Sequence, residues 1–107
     1  MTISIQDFSE IDLRVAEIKA VEEHPNADKL LVLKIDAGDG EKQLVAGIKN
    51  HYSAEELIGR KIIVVNNLAP AVLRGVESQG MLLAARDADK VVLLTTDKDV
   101  KPGSRGQ

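Results

Sequence analysis

The stretch KQLVAGIKNHYSAEELIGRKIIVVN, residues 42–66, changes period twice within 25 residues. Lys42 to Ile48 reads as a strand. Ser53-Ala54-Glu55-Glu56-Leu57 then carries a capping box, with Ser53 as N-cap and Glu56 three positions on, so one helical turn starts at Ala54. Gly59 supplies the left-handed residue that ends such a turn. Lys61 to Asn66 resumes as a β-branched run, Ile62-Ile63-Val64-Val65, suited to a buried strand.

Upstream, Leu30 to Ala37 is a strand rich in Leu, Val and Ile. Asp39-Gly40 in the turn Asp36–Gly40 favours positive φ and folds the chain back as a hairpin. Pro25 and Asn26 make residues 22–29 a loop. Leu13 to Val21 is a strand whose apolar residues change parity, Leu13 and Val15 first, then Ala16, Ile18 and Ala20. That change predicts a bulge near Ala16–Glu17, and small barrels need a bent first strand. Ser4 to Ile11 reads as a short helix capped by Ser4 and Asp7, with Phe8 packing it onto the core. Downstream, Pro70 and Gly75 belong to a long loop. Ser78 to Arg86 and Val91 to Thr95 are further strands, and Pro102-Gly103 opens a loose tail. A three-strand meander, a helix and a two-strand hairpin follow one another in the order of the OB-fold, a five-stranded Greek-key β-barrel. The expected organisation is one all-β domain over 1–107, with an N-terminal helical extension (1–11), a barrel (12–86) and a C-terminal extension (87–107).

A chain of 107 residues suits one domain, and its 44% hydrophobic content supports one core. There are no cysteines, which excludes disulfides and thiol chemistry. With no long apolar run and no basic-then-apolar leader, the expected location is the cytoplasm, with no membrane partner. The net charge of -3 is unfavourable for a polyanion. Its distribution is uneven: residues 1–41 hold 10 acids and 4 bases, residues 42–86 hold 6 bases and 3 acids, and residues 87–107 hold 4 of each. The middle third is where a polyanion would find a favourable field.

No enzyme signature is present. His24 and Asp28 are four apart but flank Pro25 in a loop, and His51 stands alone, so no metal set forms. Ser53 serves as a cap, no nucleophile elbow exists, and Gly75 and Gly80 fit neither a phosphate loop nor a dinucleotide spacing. No cofactor is expected. The most informative segment is NNLAPAVLRGVESQGM, residues 66–81. Arg74 is a planar donor fork suited to phosphate oxygens. Ser78 and Gln79 supply neutral donors and acceptors for a base edge or a 2′-hydroxyl. Met81 offers an apolar surface to a splayed base. The plainer alternative is a long barrel loop in which Gly and Pro serve turns and Met81 is core. Aromatics are 2% of the chain, Phe8 and Tyr52 alone, and Tyr52 is open between rim packing and base stacking. So few stacking platforms argue against an avid single-strand binder and favour recognition of a folded RNA by shape and backbone.

Five motifs follow in order: Asp12-Leu13-Arg14-Val15; His24-Pro25-Asn26-Ala27-Asp28-Lys29-Leu30; Val45-Ala46-Gly47-Ile48; Asn67-Leu68 with Pro70; and Gly75-Val76-Glu77-Ser78-Gln79-Gly80-Met81. Together they resemble the tRNA-binding domain family: the stand-alone bacterial tRNA-binding proteins and the β-subunit or C-terminal domain of methionyl-tRNA synthetases. The resemblance covers about residues 5–103. It implies an OB barrel with terminal extensions, a homodimer, and shape-directed tRNA binding in support of a methionyl-tRNA synthetase catalytic chain. A synthetase name could attach to such a chain with no catalytic residue in it. The contacts it implies are Lys29, Lys49, Asn50, Asn67, Arg74, Ser78, Gln79 and Met81. Where family members often carry basic residues around the proline, this chain has Ala69 and Ala71-Val72. That departure implies fewer phosphate contacts, hence weak binding that fades with salt. The competing expectation is a protein-binding or chaperone-like OB-fold dimer, suggested by the weak basic patch and the apolar run Val91–Leu94.

Overall fold

The structure is a computed structural model describing residues 1–107. Its backbone is a long bent strand, β1 (Leu13–Glu23), shared by two halves of one sheet. The second half of β1, Glu17–Glu23, pairs antiparallel with β2 (Leu31–Asp36), and its first half, Leu13–Glu17, pairs antiparallel with β4 (Lys61–Val65). β2 forms a hairpin with β3 (Glu41–Ala46). The five-stranded order is β3-β2-β1-β4-β7, with β7 at Met81–Leu82.

The bulge expected at Ala16–Glu17 lies slightly later: the β1–β2 register shifts between Ile18 and Ala20, leaving Lys19 unpaired and exposed. The parity change at Val15 and Ala16 has a different cause. Ala16 and Ile18 belong to the core cluster and are fully buried, while Val15, also buried, lies outside that cluster and pairs at its backbone edge with the C-terminal tail. Val15 N–H donates to Ser104 O at 2.8 Å and Gly103 N–H donates to Val15 O at 2.7 Å. The tail expected to be loose therefore runs along the start of β1.

α2 (Ala54–Leu57) follows β3, with the Ser53–Glu56 capping box formed in both directions and Gly59 at φ +88 behind it. This turn drives Leu57 into the barrel, where it is 0% exposed; burying such a side chain contributes roughly 2 kcal/mol. Around it pack Ile18, Leu33, Ile35, Leu44, Ile62 and Val64.

The N-terminal helix, α1 (Ile5–Ser9), has the expected Ser4–Asp7 capping box. Phe8, however, is not a core residue. α1 buries none of its side chains, and Phe8 is half-buried beside the C-terminal Arg105–Gln107. A helix of 5 residues lying outside a closed sheet has no route to the interior.

The loop expected around Pro70 and Gly75 contains its own hairpin, β5 (Ala71–Leu73) and β6 (Val76–Ser78). The expected strand Ser78–Arg86 breaks into β6, β7 and β8 (Ala84–Asp87), and β8 pairs with β9 (Lys90–Leu93). Gly80 makes the first break. It sits at φ +140, and a Cβ there would lie 2.9 Å from Val65 O, so only glycine lets the strands approach. In the run Val91–Leu94, Leu93 alone is buried; Val92 and Leu94 face outward.

The barrel closes between β3 and the β6–β7 link. Gln79 N–H donates to Gln43 O (2.8 Å), Gln43 N–H donates to Gln79 Oε1 (2.9 Å), and Val45 N–H donates to Ser78 Oγ (3.0 Å). No helix is long and apolar enough to cross a membrane.

Candidate nucleic-acid interface

At the far end of β1 its loop to β2 meets the tip of the β5–β6 hairpin. Two successive residues of that tip, Arg74 (φ +52) and Gly75 (φ +90), have left-handed backbones, the requirement of a type I′ hairpin turn. Glycine accepts this without strain; arginine does so at a cost of about 1 kcal/mol. The loop holds the tip through several hydrogen bonds. Asn26 Nδ2 donates to Arg74 O (3.4 Å) and Arg74 Nη2 donates to Asn26 O (3.3 Å). His24, only 6% exposed, bonds Leu73 O through Nε2 (2.8 Å) and accepts Asn26 N–H at Nδ1 (2.9 Å). Both ring nitrogens are thus engaged by the protein.

Asn26, Ala27, Asp28, Lys29, Leu30 and Arg74 line a cleft of about 380 Å³. Lys49 adjoins it, because Lys49 N–H donates to Lys29 O at 3.4 Å. Asn50 follows, exposed. Neither Lys29 nor Arg74 is in an ion pair, and Lys49 pairs only with the exposed Glu23, at 3.2 Å. Met81 is 49% exposed rather than core. It lies in a shallow apolar groove of about 340 Å³ with Ile48, Leu73, Leu82 and Arg86. Leu73 and Ile48 are chain neighbours of Arg74 and Lys49, so the groove continues the basic edge. Lys29 and Arg74 therefore share one cleft, and Met81 shares a groove with Leu73 and Ile48.

Three residues expected at this site serve elsewhere. Ser78 is 4% exposed, and its hydroxyl accepts from Val45 N–H and donates to Gly80 O (3.0 Å). Its hydrogen-bonding capacity is used inside the barrel, which corrects its placement as a reader of a base edge. The Gln79 carbonyl closes the same seam against Gln43. Asn67 sits at the opposite end of β1, where Nδ2 donates to Glu10 O (2.7 Å) and Oδ1 accepts Asp12 N–H (2.9 Å), tying α1 to the barrel. Tyr52 packs at the rim: its hydroxyl accepts from Leu93 N–H (3.1 Å) and the Arg60 guanidinium lies 5.7 Å from its ring centre.

That opposite end is a network of paired charges. Asp12 bonds Arg14 Nε at 2.8 Å and lies 4.0 Å from Arg105, while Lys42 bonds the Asn66 side chain at 2.7 Å and faces Asp39 at 3.7 Å. The hydrogen bond from Arg14 holds the Asp12 carboxyl below its ordinary pKa against some desolvation, and the Asn66 amide does the same for Asp39. Sequence patterns did not point to this network or to the roles of His24 and Asn26. The bonds that join separate segments span 24 to 57 residues; the local pairs Asp12–Arg14, Asp39–Lys42 and His24–Asn26 lie two or three residues apart.

A nearly closed five-stranded barrel with a helical turn between β3 and β4 is the OB class, whose 1–2 and 4–5 loops form the binding edge for oligonucleotides or oligosaccharides. Residues 13–105 match the family described as "Putative tRNA binding domain", and the chain belongs to that family. It is 55% identical over 103 residues to the methionine–tRNA ligase of Pyrococcus furiosus, covering 96% of this chain and 14% of that protein. For the ligase of Thermotoga maritima the identity is 53%, over 96% of this chain and 16% of that protein. The chain thus spans a small part of those enzymes. Among solved structures it is similar to a MetRS-related protein from Pyrococcus horikoshii, with TM-score 0.93 and 36% identity over 100% of this chain and 99% of that one. It is also similar to the chaperone CsaA of Bacillus anthracis, with TM-score 0.90 and 32% identity over 100% of each.

Proposed function

We propose that this chain is a non-catalytic module that binds tRNA by shape and backbone and assists a methionyl-tRNA synthetase in trans, in the cytoplasm. The observation that carries this is the unpaired basic edge, Lys29 and Arg74 with Lys49 and Asn50 beside them, on a barrel of the tRNA-binding family. Two or three cations at one edge suit phosphate oxygens, and the exposed apolar groove around Met81 suits a sugar or an unstacked base. Ser78, Gln79 and Asn67 act by holding the elements that present this edge. Two copies pair through the uncovered α1 side, where Ile3 and Ile5 are 61% and 72% exposed, so that one tRNA meets two basic edges.

Fluorescence anisotropy of labelled tRNA over a salt series tests the proposal. At about 50 mM salt the signal rises to saturation, and log affinity then falls against log salt with a slope of roughly -3 to -5, as two or three phosphate contacts on each of the two edges require. No change at the lowest salt overturns it. A second reading, a chaperone-like protein-binding dimer, is favoured by the likeness to CsaA and by exposed Leu68, Val72 and Met81. Capture of unfolded polypeptide in place of tRNA by the purified protein selects that reading.

A further inference from the structure

We infer that His24 and Asn26 are positioning residues for tRNA binding, holding Arg74 at the mouth of the Lys29 cleft; the inference rests on the tRNA-binding function proposed above. Arg74 is unusual in two ways. Its backbone is left-handed at φ +52, and its side chain reaches back to the neighbouring loop instead of to a carboxylate. An exposed hairpin of three residues a side, closed by a strained non-glycine, has little to hold it in one geometry. The β1–β2 loop provides the constraint. The Asn26 side-chain amide donates to the Arg74 carbonyl, the Asn26 carbonyl accepts from the Arg74 guanidinium, and His24 grips the preceding residue, Leu73.

The histidine does so in one defined form. Asn26 N–H points at Nδ1 (2.9 Å), so Nδ1 carries a lone pair and the ring proton is on Nε2, where it is donated to Leu73 O (2.8 Å). Both bonds require the neutral Nε2–H tautomer, because a proton on Nδ1 would face the Asn26 N–H. The ring is buried while Pro25 and Asn26 on either side of the turn stay exposed. His24 therefore reaches no ligand itself. It fixes the angle of the hairpin, and through it the direction of the Arg74 guanidinium.

The test is a double-mutant cycle read by tRNA anisotropy. His24→Ala and Asn26→Ala each lower affinity roughly three- to ten-fold, the range for a lost hydrogen bond that orients a contact. In an Arg74→Ala background each changes affinity less than about two-fold. Asn26 is exposed, so its variant folds and keeps the test valid if His24→Ala does not. Undiminished loss in the Arg74→Ala background, or no loss from a folded Asn26→Ala protein, overturns the positioning role. Absence of binding by the unmutated protein would instead overturn the tRNA function. Independently, ¹⁵N spectra of His24 at neutral pH show the Nε2–H tautomer; the Nδ1–H tautomer overturns the arrangement.

Discussion

The two ends of β1 are both polar, yet they differ in what their charges do. At the N-terminal end, Asp12, Arg14, Asp39, Lys42 and Arg105 neutralise one another, and Asn66 and Asn67 connect them. At the other end, Lys29 and Arg74 have no carboxylate partner, and neutral groups, His24 and Asn26, hold the loops. A paired surface charge adds little field for an approaching polyanion, whereas an unpaired one in a cleft keeps its attraction. The comparison shows how a chain of net charge -3 can offer a site for nucleic acid: Asp28 lines the cleft, yet neither Lys29 nor Arg74 is ion-paired there.

The largest expected effect tests whether Ser78 belongs to the barrel or to the site. Ser78→Ala leaves the buried Val45 N–H without an acceptor and lowers unfolding free energy by about 1–3 kcal/mol in urea titration, with tRNA affinity of the folded protein unchanged. Loss of affinity without loss of stability would return the hydroxyl to the interface. Next, combined Lys29→Ala and Arg74→Ala lowers tRNA affinity at least roughly ten-fold and, lost from both edges, makes the salt slope shallower by about 3, while stability stays within about 0.5 kcal/mol. Arg74→Ala alone weakens all tRNAs alike; a loss confined to one species contradicts shape readout.

At the paired end, Asn67→Ala removes two hydrogen bonds, to Glu10 O at the end of α1 and from Asp12 N–H just beyond it. It costs about 1 kcal/mol and speeds exchange of the Asp12 amide, leaving tRNA binding intact. Reduced tRNA binding here would mean that the two ends do not divide their roles. The smallest effect concerns acid. The Asp12 carboxyl is held below its ordinary value, first by Arg14. Its contribution is therefore present above the unfolded-state pKa and is lost as pH falls through the lowered folded value. Asp12→Asn flattens the fall in urea midpoint below about pH 4; an unchanged curve shows that the pairing does not couple to folding.

Much of the architecture was legible because its signals are local. The capping boxes at Ser4 and Ser53 formed as spelled, and the β2–β3 hairpin closed around Gly40. Errors arose where one residue answers to two neighbours. Val15 looked out of phase because both it and Ala16 are buried, which drew the expected bulge away from Lys19. Phe8 was assigned to the core by type, although a single helical turn outside the barrel cannot reach it. In the site, the basic residues were legible as charges, and Met81 was left open between core and surface. The inward turn of Ser78 was not legible, since a serine at a strand end reads the same whether its hydroxyl meets ligand or backbone.

What the chain spells out along its length is order: caps, turns and apolar runs act over a few residues, so the first four strands, the two short helices and the candidate cations follow from them. Tertiary structure alone decided which polar side chains are free. Ser78 meets Val45, Asn67 meets Asp12 and His24 meets Leu73 across 33, 55 and 49 residues. Pairings at that separation depend on how the barrel closes, and no short window of sequence contains both partners.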